Sequence, residues 1–490
     1  MSLADPVFVG IDLGTGGVRA MAVNAEGQLL ASAAVPHTGV SEAMPTGWHE
    51  QNAQDWWSAT RQTIRALASD LRGQGGRDRD VAALCVDGTS GTVLGLDDCG
   101  EPVRPALMYN DGRAIAEAHE LAVAEGGGPS IGGAIAASHA IAKVRWLQRH
   151  EPHHFAATRC FVHQADFIVG RLTGRRDVSD YSNALKMGFD LIGECWPAWL
   201  EEFAEILQRL PRVVPPGSVI SGLLPTVALE LGLPANTQVI AGATDGTAGF
   251  IASGATNLGD DNTTLGTTLV FKRLADRPCV DPRGLIYCHK LPGSGGESAR
   301  WLPGAASNTG CAWMTTHFAG ADIQAMDARA AAILPCDALA YPLSRAGERF
   351  PFLSNTATGF CDPPAGSALE NYAAHLQGLA LIERLCYETL DSAAGVCGKD
   401  VYATGGGSRS DVWTQLRANV TGRAYHRPAC PESAFGAAVL AAAGAHFAGD
   451  LWAAIRQMVR IEKSFSPDAE IRNRYDALYG RFKTLLLQYG

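Results

Sequence analysis

The chain opens on apolar runs separated by glycine-rich turns. Val7–Ile11 forms a strand-like apolar run, "DLGTGG" (Asp12–Gly17) a turn, and "VRAMAV" a second run. An Asn-Ala-Glu-Gly turn at Asn24–Gly27 leads into "LLASAAV", so the first segment predicts a β-meander. The period then changes: Trp56, Trp57, Ile64, Leu67 and Leu71 fall roughly on one face of a helix between Asp55 and Leu71. "VAALCVDGTSGTVLGLD" reads as a buried-strand run, and another turn stands at Asp98–Gly100. From about Ala114 to Leu210 the pattern is mainly helical, with "HAIAKVRWLQRHEP" an amphipathic helix stopped by Pro152.

Prolines at 211, 215 and 216 mark a change of register. "TQVIAGATDGTAGFIASGA" predicts a short strand, a turn carrying Asp245 and an apolar helix. "DNTTLGTTLVFKR" then repeats the opening device, polar residues before Gly-Thr and a β-branched run. A helix around Ala373–Ala394, the strand "DVYATGGGS", the helix Asp411–Val420 and an alanine-rich helix Ser433–Ala443 close the chain. Strands followed by mixed α/β thus occur twice. The expected fold is α/β in two domains, residues 1–245 and 246–490, related by an ancient duplication.

Bulk properties narrow the function. A chain of 490 residues needs more than one core, and 47% hydrophobic with 18% charged residues is a globular composition. The net charge of −10 and the lack of a Lys/Arg run argue against nucleic acid and leave small molecules as the expected partners. Twelve cysteines lie singly between Cys85 and Cys430, with no C-x-x-C pair and no zinc spacing, which suits reduced thiols in the cytoplasm. Neither a secretory leader nor an uninterrupted apolar span is expected, so no membrane partner is.

The candidate chemistry sits in the glycine turns. A phosphate needs several backbone N–H groups converging on it, and glycine lets the backbone come close. Gly14, Thr15 and Gly16 supply one such turn, and Gly266 with Thr267 in "LGTT" a second. No G-x-x-x-x-G-K-[ST] string exists, and Arg19 stands where a dinucleotide fingerprint needs its third glycine. Asp12, directly after the first strand, is a candidate ligand of the Mg²⁺ that accompanies ATP, through waters, or else simply a turn cap. Asp245, between a strand and a helix, is either a carboxylate at a site or that helix's N-cap.

Taken together these strings resemble the FGGY carbohydrate kinases of the actin/Hsp70/sugar-kinase superfamily. The resemblance runs through "GIDLGTGGVRA", "GWHEQNAQDWW", "MYNDGRA", "RLTG", "AGATDGTAGFIASGA", "TTLGTT", "YATGGGSRSDVWTQLRANVTG" and "PESAFGAAVLAA", in one order over nearly the whole chain. It implies two ribonuclease-H-like (actin-like ATPase) domains with mixed sheets flanked by helices and a cleft between them, the first binding sugar and the second nucleotide. The implied chemistry is phosphoryl transfer from Mg²⁺-ATP to a sugar hydroxyl. Asp245 of "GATDG" would be the general base and would share metal and sugar contacts; Asp12 would hold the metal. Asp111 of "YNDGR" would bind sugar, in preference to serving only an Asn-Asp-Gly turn; Ser90 with Gly91 would line the sugar site, though Ser90 could equally be an ordinary turn serine. Gly405, Gly406 and Gly407 would lie against the adenosine, with Asn308 and Gly310 lining the same pocket. Trp313 either covers the base or belongs to the core.

Xylulokinases carry Ser-Gly-Gln-Met-His-Gly where this chain has Thr89–Ser90–Gly91. With "LMYNDGRA" and "GERFP", that departure looks most like the D-ribulose kinase branch, so D-ribulose is the expected acceptor, followed by D-xylulose. A glycerol or polyol kinase is disfavoured by the lack of an Arg-Glu pair after the first-domain strand. An actin- or Hsp70-like nucleotide switch leaves the Gly47–Trp57 and "YNDGR" strings without purpose. Dimers are common in the family, so a homodimer is the assembly the resemblance implies.

Overall fold

The computed structural model describes residues 5–37, 44–126, 130–293 and 298–489, and it contains all the candidate site residues. The chain separates into two compact units. The first comprises Met1–Ala252, His289–Arg300 and Glu432–Val459; the second comprises Ser253–Cys288, Trp301–Pro431 and Arg460–Gly490.

The first unit is built on one mixed sheet. Its strands are β1 (Val7–Leu13), β2 (Gly17–Val23), β3 (Leu29–Pro36), β4 (Val81–Gly88), β5 (Val219–Gly222) and β6 (Gln238–Ile240), in the order β5-β6-β4-β1-β2-β3. β1 pairs antiparallel with β2 and parallel with β4, and β4 pairs parallel with β6. The near-continuous apolar sequences of β1 and β4 follow from cover on both faces. One cover is α1 (Ala53–Gly73), whose Asn52 side chain caps it by accepting from Gln54 N–H. It buries Trp56, Ile64, Leu67 and Leu71, the predicted stripe; Trp57 is only half buried.

The other cover is the alanine-rich helix Ser433–Ala445. An ideal Cβ on Gly10 of β1 would lie 1.8 Å from Ala434 O and 2.3 Å from Ala438 N. The helix backbone therefore rests directly on the strand, and small residues on both sides are what allow it. Packing therefore groups the chain differently from two contiguous halves divided after Asp245. The first unit continues to Ala252, and it takes back Glu432–Val459 because that helix covers its sheet.

The expected helical region contains α2 (Ala140–His150) and α3 (Gln164–Thr173), separated by a strand, Cys160–His163. Pro152 both ends the amphipathic stretch and starts a short helix, Pro152–Ala157, where its missing N–H costs nothing. A further helix, α4 (Asp245–Ser253), begins at the predicted aspartate.

The second unit's main sheet includes β7 (Asp261–Leu265), β8 (Leu269–Arg273), β9 (Arg300–Ser307), β10 (Val401–Thr404), β11 (Tyr425–Pro428) and β12 (Ile461–Phe465). They are neighbours in the order β9-β8-β7-β10-β11-β12. β7 is antiparallel to β8 and parallel to β10, as β1 is to β2 and β4. The echo read from two short strings thus extends to the pairing of both sheets. Helices α5 (Ala368–Ala393) and α6 (Asp411–Thr421) bury Leu376, Leu379, Trp413 and Leu416 against this sheet's core. Trp313 is 1% exposed and edge-on to Tyr372 and Trp413, which makes it a core residue. Among the described residues no helix is long and apolar enough to cross a membrane.

Candidate active site

In the first unit three aspartates meet at the carboxyl ends of parallel strands. Asp12 and Asp87 are partners across the β1–β4 ladder, and the next residue, Gly88, bridges in parallel to Thr244. Asp245 therefore follows the same strand edge, the place where open α/β sheets bind ligands. Asp87 was not singled out by its sequence, where it is one residue of a buried-strand run. It is wholly buried, and among the described residues no N–H or hydroxyl donor reaches either of its oxygens. Burial, and then the charges of Asp12 and Asp245, push its carboxyl well above the usual carboxylate range. Asp12 is also raised by burial, against the pull of its contact with Asp87 and of Arg19 across the hairpin.

Asp245 is the first residue of α4 and accepts from Gly246 N–H at 2.6 Å. Its own carbonyl accepts from Ser433 Oγ at 3.1 Å. The adjacent Thr244 is fixed by Ser182 Oγ, which accepts from its N–H at 3.2 Å.

The Gly14–Gly16 turn is closed by Gly14 N–H donating to Gly17 O at 3.0 Å. Gln51 Nε2 donates to Thr15 O at 2.9 Å, and Gln51 Oε1 accepts from Trp56 Nε1 at 2.8 Å. That linkage gives "WHEQN" a purpose its sequence did not reveal. A Cβ on Gly16 would meet nothing within 4 Å, so the turn presents open backbone of the kind a phosphate requires.

The structure departs from expectation at Asp111. Its side chain is fully buried, and each oxygen accepts twice. Oδ1 takes Arg113 N–H at 3.1 Å and Arg113 Nε at 2.9 Å; Oδ2 takes His49 N–H at 2.6 Å and Arg113 Nη2 at 2.7 Å. Arg113 in turn lies over Trp48, 3.8 Å from its centroid, and pairs with Glu50 at 2.8 Å. With its acceptor positions filled, Asp111 is an anchor for the turn rather than an open sugar ligand. Ser90 and Gly91 stand on the loop after β4, and Ser90 Oγ is buried without a partner among the described residues.

The second unit gathers its own candidates. Gly266 and Thr267 form the β7–β8 turn, and Cys311 N–H donates to Gly266 O at 2.8 Å. Gly310 sits on that turn, since a Cβ there would be 2.3 Å from Thr267 O. Gly405 has φ +82° and would place a Cβ 2.6 Å from Leu265 O, so only glycine fits beside the end of β7. Gly407 packs on the Leu265 side chain, while Gly406 is open. Asn308 N–H donates to Glu348 Oε1 at 2.7 Å and its Nδ2 to Gly347 O at 3.0 Å. Glu348, buried in "GERFP", also accepts from Ser307 Oγ at 2.8 Å and Tyr341 Oη at 2.7 Å. This hub looked like only a branch marker in the sequence. A concavity lined by Asp281, Arg283, Glu388 and Ser392 shares no residue with these loops.

Asp12 and Asp245 suit a divalent cation that keeps part of its water shell; no group of three or more His, Cys, Asp or Glu side chains among the described residues forms a dry metal cage. The open Gly16 and Gly406 backbones suit phosphate and nucleotide.

Comparison with known proteins agrees with this arrangement. Residues 7–252 match the model for the FGGY family of carbohydrate kinases, N-terminal domain, and residues 262–445 match its C-terminal domain. The chain is 28% identical to a xylulose kinase of Escherichia coli K12, over 99% of this chain and 98% of that one. It is 31% identical to a xylulose kinase of Streptomyces rubiginosus, over 90% and 89% of the two chains. The crystal structure of xylulose kinase from Rhodospirillum rubrum superposes with a TM-score of 0.85 at 29% identity, covering 98% of each chain.

Proposed function

The chain belongs to the FGGY family of carbohydrate kinases, and from that premise we propose that it phosphorylates a 2-ketopentose, with D-xylulose as the acceptor. It is an ATP-dependent sugar kinase; the sugar and the residue roles are what this reading adds. Support for D-xylulose comes from end-to-end similarity to proteins named xylulose kinase. The expected preference for D-ribulose rested on short strings, and it is kept as the second reading because Asp87–Gly91 departs from the xylulokinase pattern.

The observation that carries the chemistry is the convergence of Asp12, Asp87 and Asp245 at one strand edge. Asp245 is the general base: it takes the hydroxyl proton while the sugar oxygen bonds to the γ-phosphorus and the bond to the ADP oxygen breaks. Asp12 and Asp245 hold Mg²⁺, which neutralises phosphate charge when bound. Gly14–Gly16 and Gly266–Thr267 bind phosphates; Asn308, Gly310 and Gly405–Gly407 bind the adenosine. Ser90 and Gly91 bind sugar, and Asp111 positions their surroundings. We place the reaction in the cytoplasm and propose a homodimer, which light scattering would check.

The test is ADP release over D-xylulose, D-ribulose, other pentuloses, pentitols, glycerol and aldoses. D-Xylulose should give the highest kcat/KM. A higher value with D-ribulose selects the second reading, and highest turnover with glycerol or a pentitol overturns both.

A further inference from the structure

Gln164, the first residue of α3, is wholly buried beside the loop that follows β4. Its Oε1 accepts from Thr89 N–H at 2.9 Å and from Thr89 Oγ1 at 2.7 Å. A backbone N–H can only donate, so the atom facing it must be the amide oxygen, and the orientation of the carboxamide is thereby fixed. Among the described residues Nε2 is left as a buried donor without a partner, and one residue beyond Thr89 the buried Ser90 Oγ is also without one. Buried polar atoms of this kind are costly unless an arriving group satisfies them. The place is close to the strand edge described above. An ideal Cβ on Gly88 would be 3.3 Å from Gln164 Oε1, and Gly88 is the residue bridged to Thr244, next to Asp245.

We propose that Gln164 is a substrate-positioning residue whose Nε2 donates to an oxygen of the bound ketose, beside Ser90 Oγ, and so helps select the acceptor. This rests on the ketopentose reading. A neutral amide cannot protonate or ionise, and its N–H groups accept no proton, so it recognises an acceptor oxygen whether carbonyl or hydroxyl. A site built to hydrogen-bond one oxygen rejects the analogue that lacks it, because its own buried group is then left unpaired. Thr89 sets the direction of the donor, and Thr92 Oγ1, 2.6 Å from Thr89 Oγ1, holds Thr89 in turn.

The experiment uses the full chain with Gln164→Glu, which keeps an oxygen toward Thr89 but replaces the NH₂ group, and Gln164→Met, which keeps the volume without placing a charge. Each is assayed with the ketose of highest kcat/KM and with its monodeoxy analogues. Binding is read independently from the sugar-induced shift in Tm. The expected result is a sugar KM raised by roughly 10–100-fold, the usual scale for one lost hydrogen bond to substrate, with the KM for ATP unchanged. For the single deoxy analogue that lacks the contacted oxygen, variant and wild type should agree. A sugar KM within about twofold of wild type in both variants, or an equal loss on every analogue as a merely structural role predicts, overturns the proposal. If Gln164→Glu does not fold, Gln164→Met decides by the same two outcomes. If the wild type turns over no ketopentose, the ketopentose reading is what fails; the Tm shifts with whichever sugar it binds still decide the role of Gln164.

Discussion

Replacing Lys143 with Met should loosen the Ser90–Gly91 loop and leave the glycine turns of the second unit alone. Lys143 lies on α2, with its ammonium wholly buried. Nζ donates to Gly91 O at 3.0 Å, Met108 O at 2.6 Å and Ser138 O at 3.0 Å. One side chain thus pins the Ser90–Gly91 turn to the Met108–Asp111 turn and to the segment before its own helix. Methionine fills much of the same space, so the loss is chiefly electrostatic. Three charge-assisted bonds of about 1.5–3 kcal/mol each disappear, against recovery of the several kcal/mol spent in desolvating the ammonium. Three carbonyls are left needing water. The net is about 3–5 kcal/mol, the scale of leaving three buried carbonyls unsatisfied at about 1–3 kcal/mol each, partly relieved by water. At roughly 2 °C per kcal/mol for a domain this large, Tm should fall by about 6–10 °C.

The charge adds a pH signature. Burial, helped by Lys186 and Arg113 and opposed by Asp111, brings the Lys143 pKa down to about 7. The unfolded value is about 10.4, so between pH 7 and 10.4 the unfolded chain binds more protons and folding gains stability as pH rises. Below pH 7 the burial penalty is present in full. A neutral amine has two N–H groups for three carbonyls, which trims the gain. The Tm gap between wild type and Lys143→Met should therefore widen from pH 7 to pH 9. Scanning calorimetry reads the gap, and steady-state kinetics should show at least a ~10-fold rise in sugar KM with an unchanged KM for ATP. A drop in Tm under about 2 °C together with a wild-type sugar KM would refute the pinning argument.

Three further outcomes are expected. Asp245→Asn should retain the wild-type Tm within a few degrees yet lower kcat by about 10²–10⁴-fold, the range for losing a general base; near-normal turnover would remove Asp245 from that role. Arg417→Met should cost about 3–5 kcal/mol in urea denaturation, because it strands Glu383, whose two oxygens accept from Arg417 Nε at 2.6 Å and Nη2 at 2.9 Å in the second unit's core; adding Glu383→Gln should restore part of that loss. Burial, and then Asp166, raise the Asp180 pKa to about 7, so the folded state binds the extra proton between about pH 4 and 7 and stability falls as pH rises through that window. Asp180→Asn, which stays neutral, should flatten this part of the Tm–pH curve, and an unchanged slope would show that Asp180 does not titrate there.

The legible parts of the chain were those whose chemistry is local. Glycine turns, the stripe on α1 and the strand-turn-helix around Asp245 are each written within some twenty residues, and the structure forms all of them. The pairing of β7 with β8 and β10 repeats that of β1 with β2 and β4, so even the duplication left a readable mark. What stayed hidden depends on partners far away in sequence. Asp87 passed as one more residue of a buried-strand run, since nothing near it in sequence shows that Asp12 lies opposite it in another strand. Gln51 and Gln164 are ordinary polar residues until Thr15 and Thr89 are brought against them, 36 and 75 positions distant. The alanine-rich helix at 433–445 was legible as a helix, but its two near-equivalent faces carry no signal that it packs on the first unit's sheet. Asp111 gives the converse lesson. Its motif was read as a sugar ligand, yet Arg113 two residues on and His49 N–H from 62 residues back fill its acceptor positions. Groups near that strand edge that point to a ligand include the buried Ser90 Oγ and Gln164 Nε2, which have no hydrogen-bond partner among the described residues.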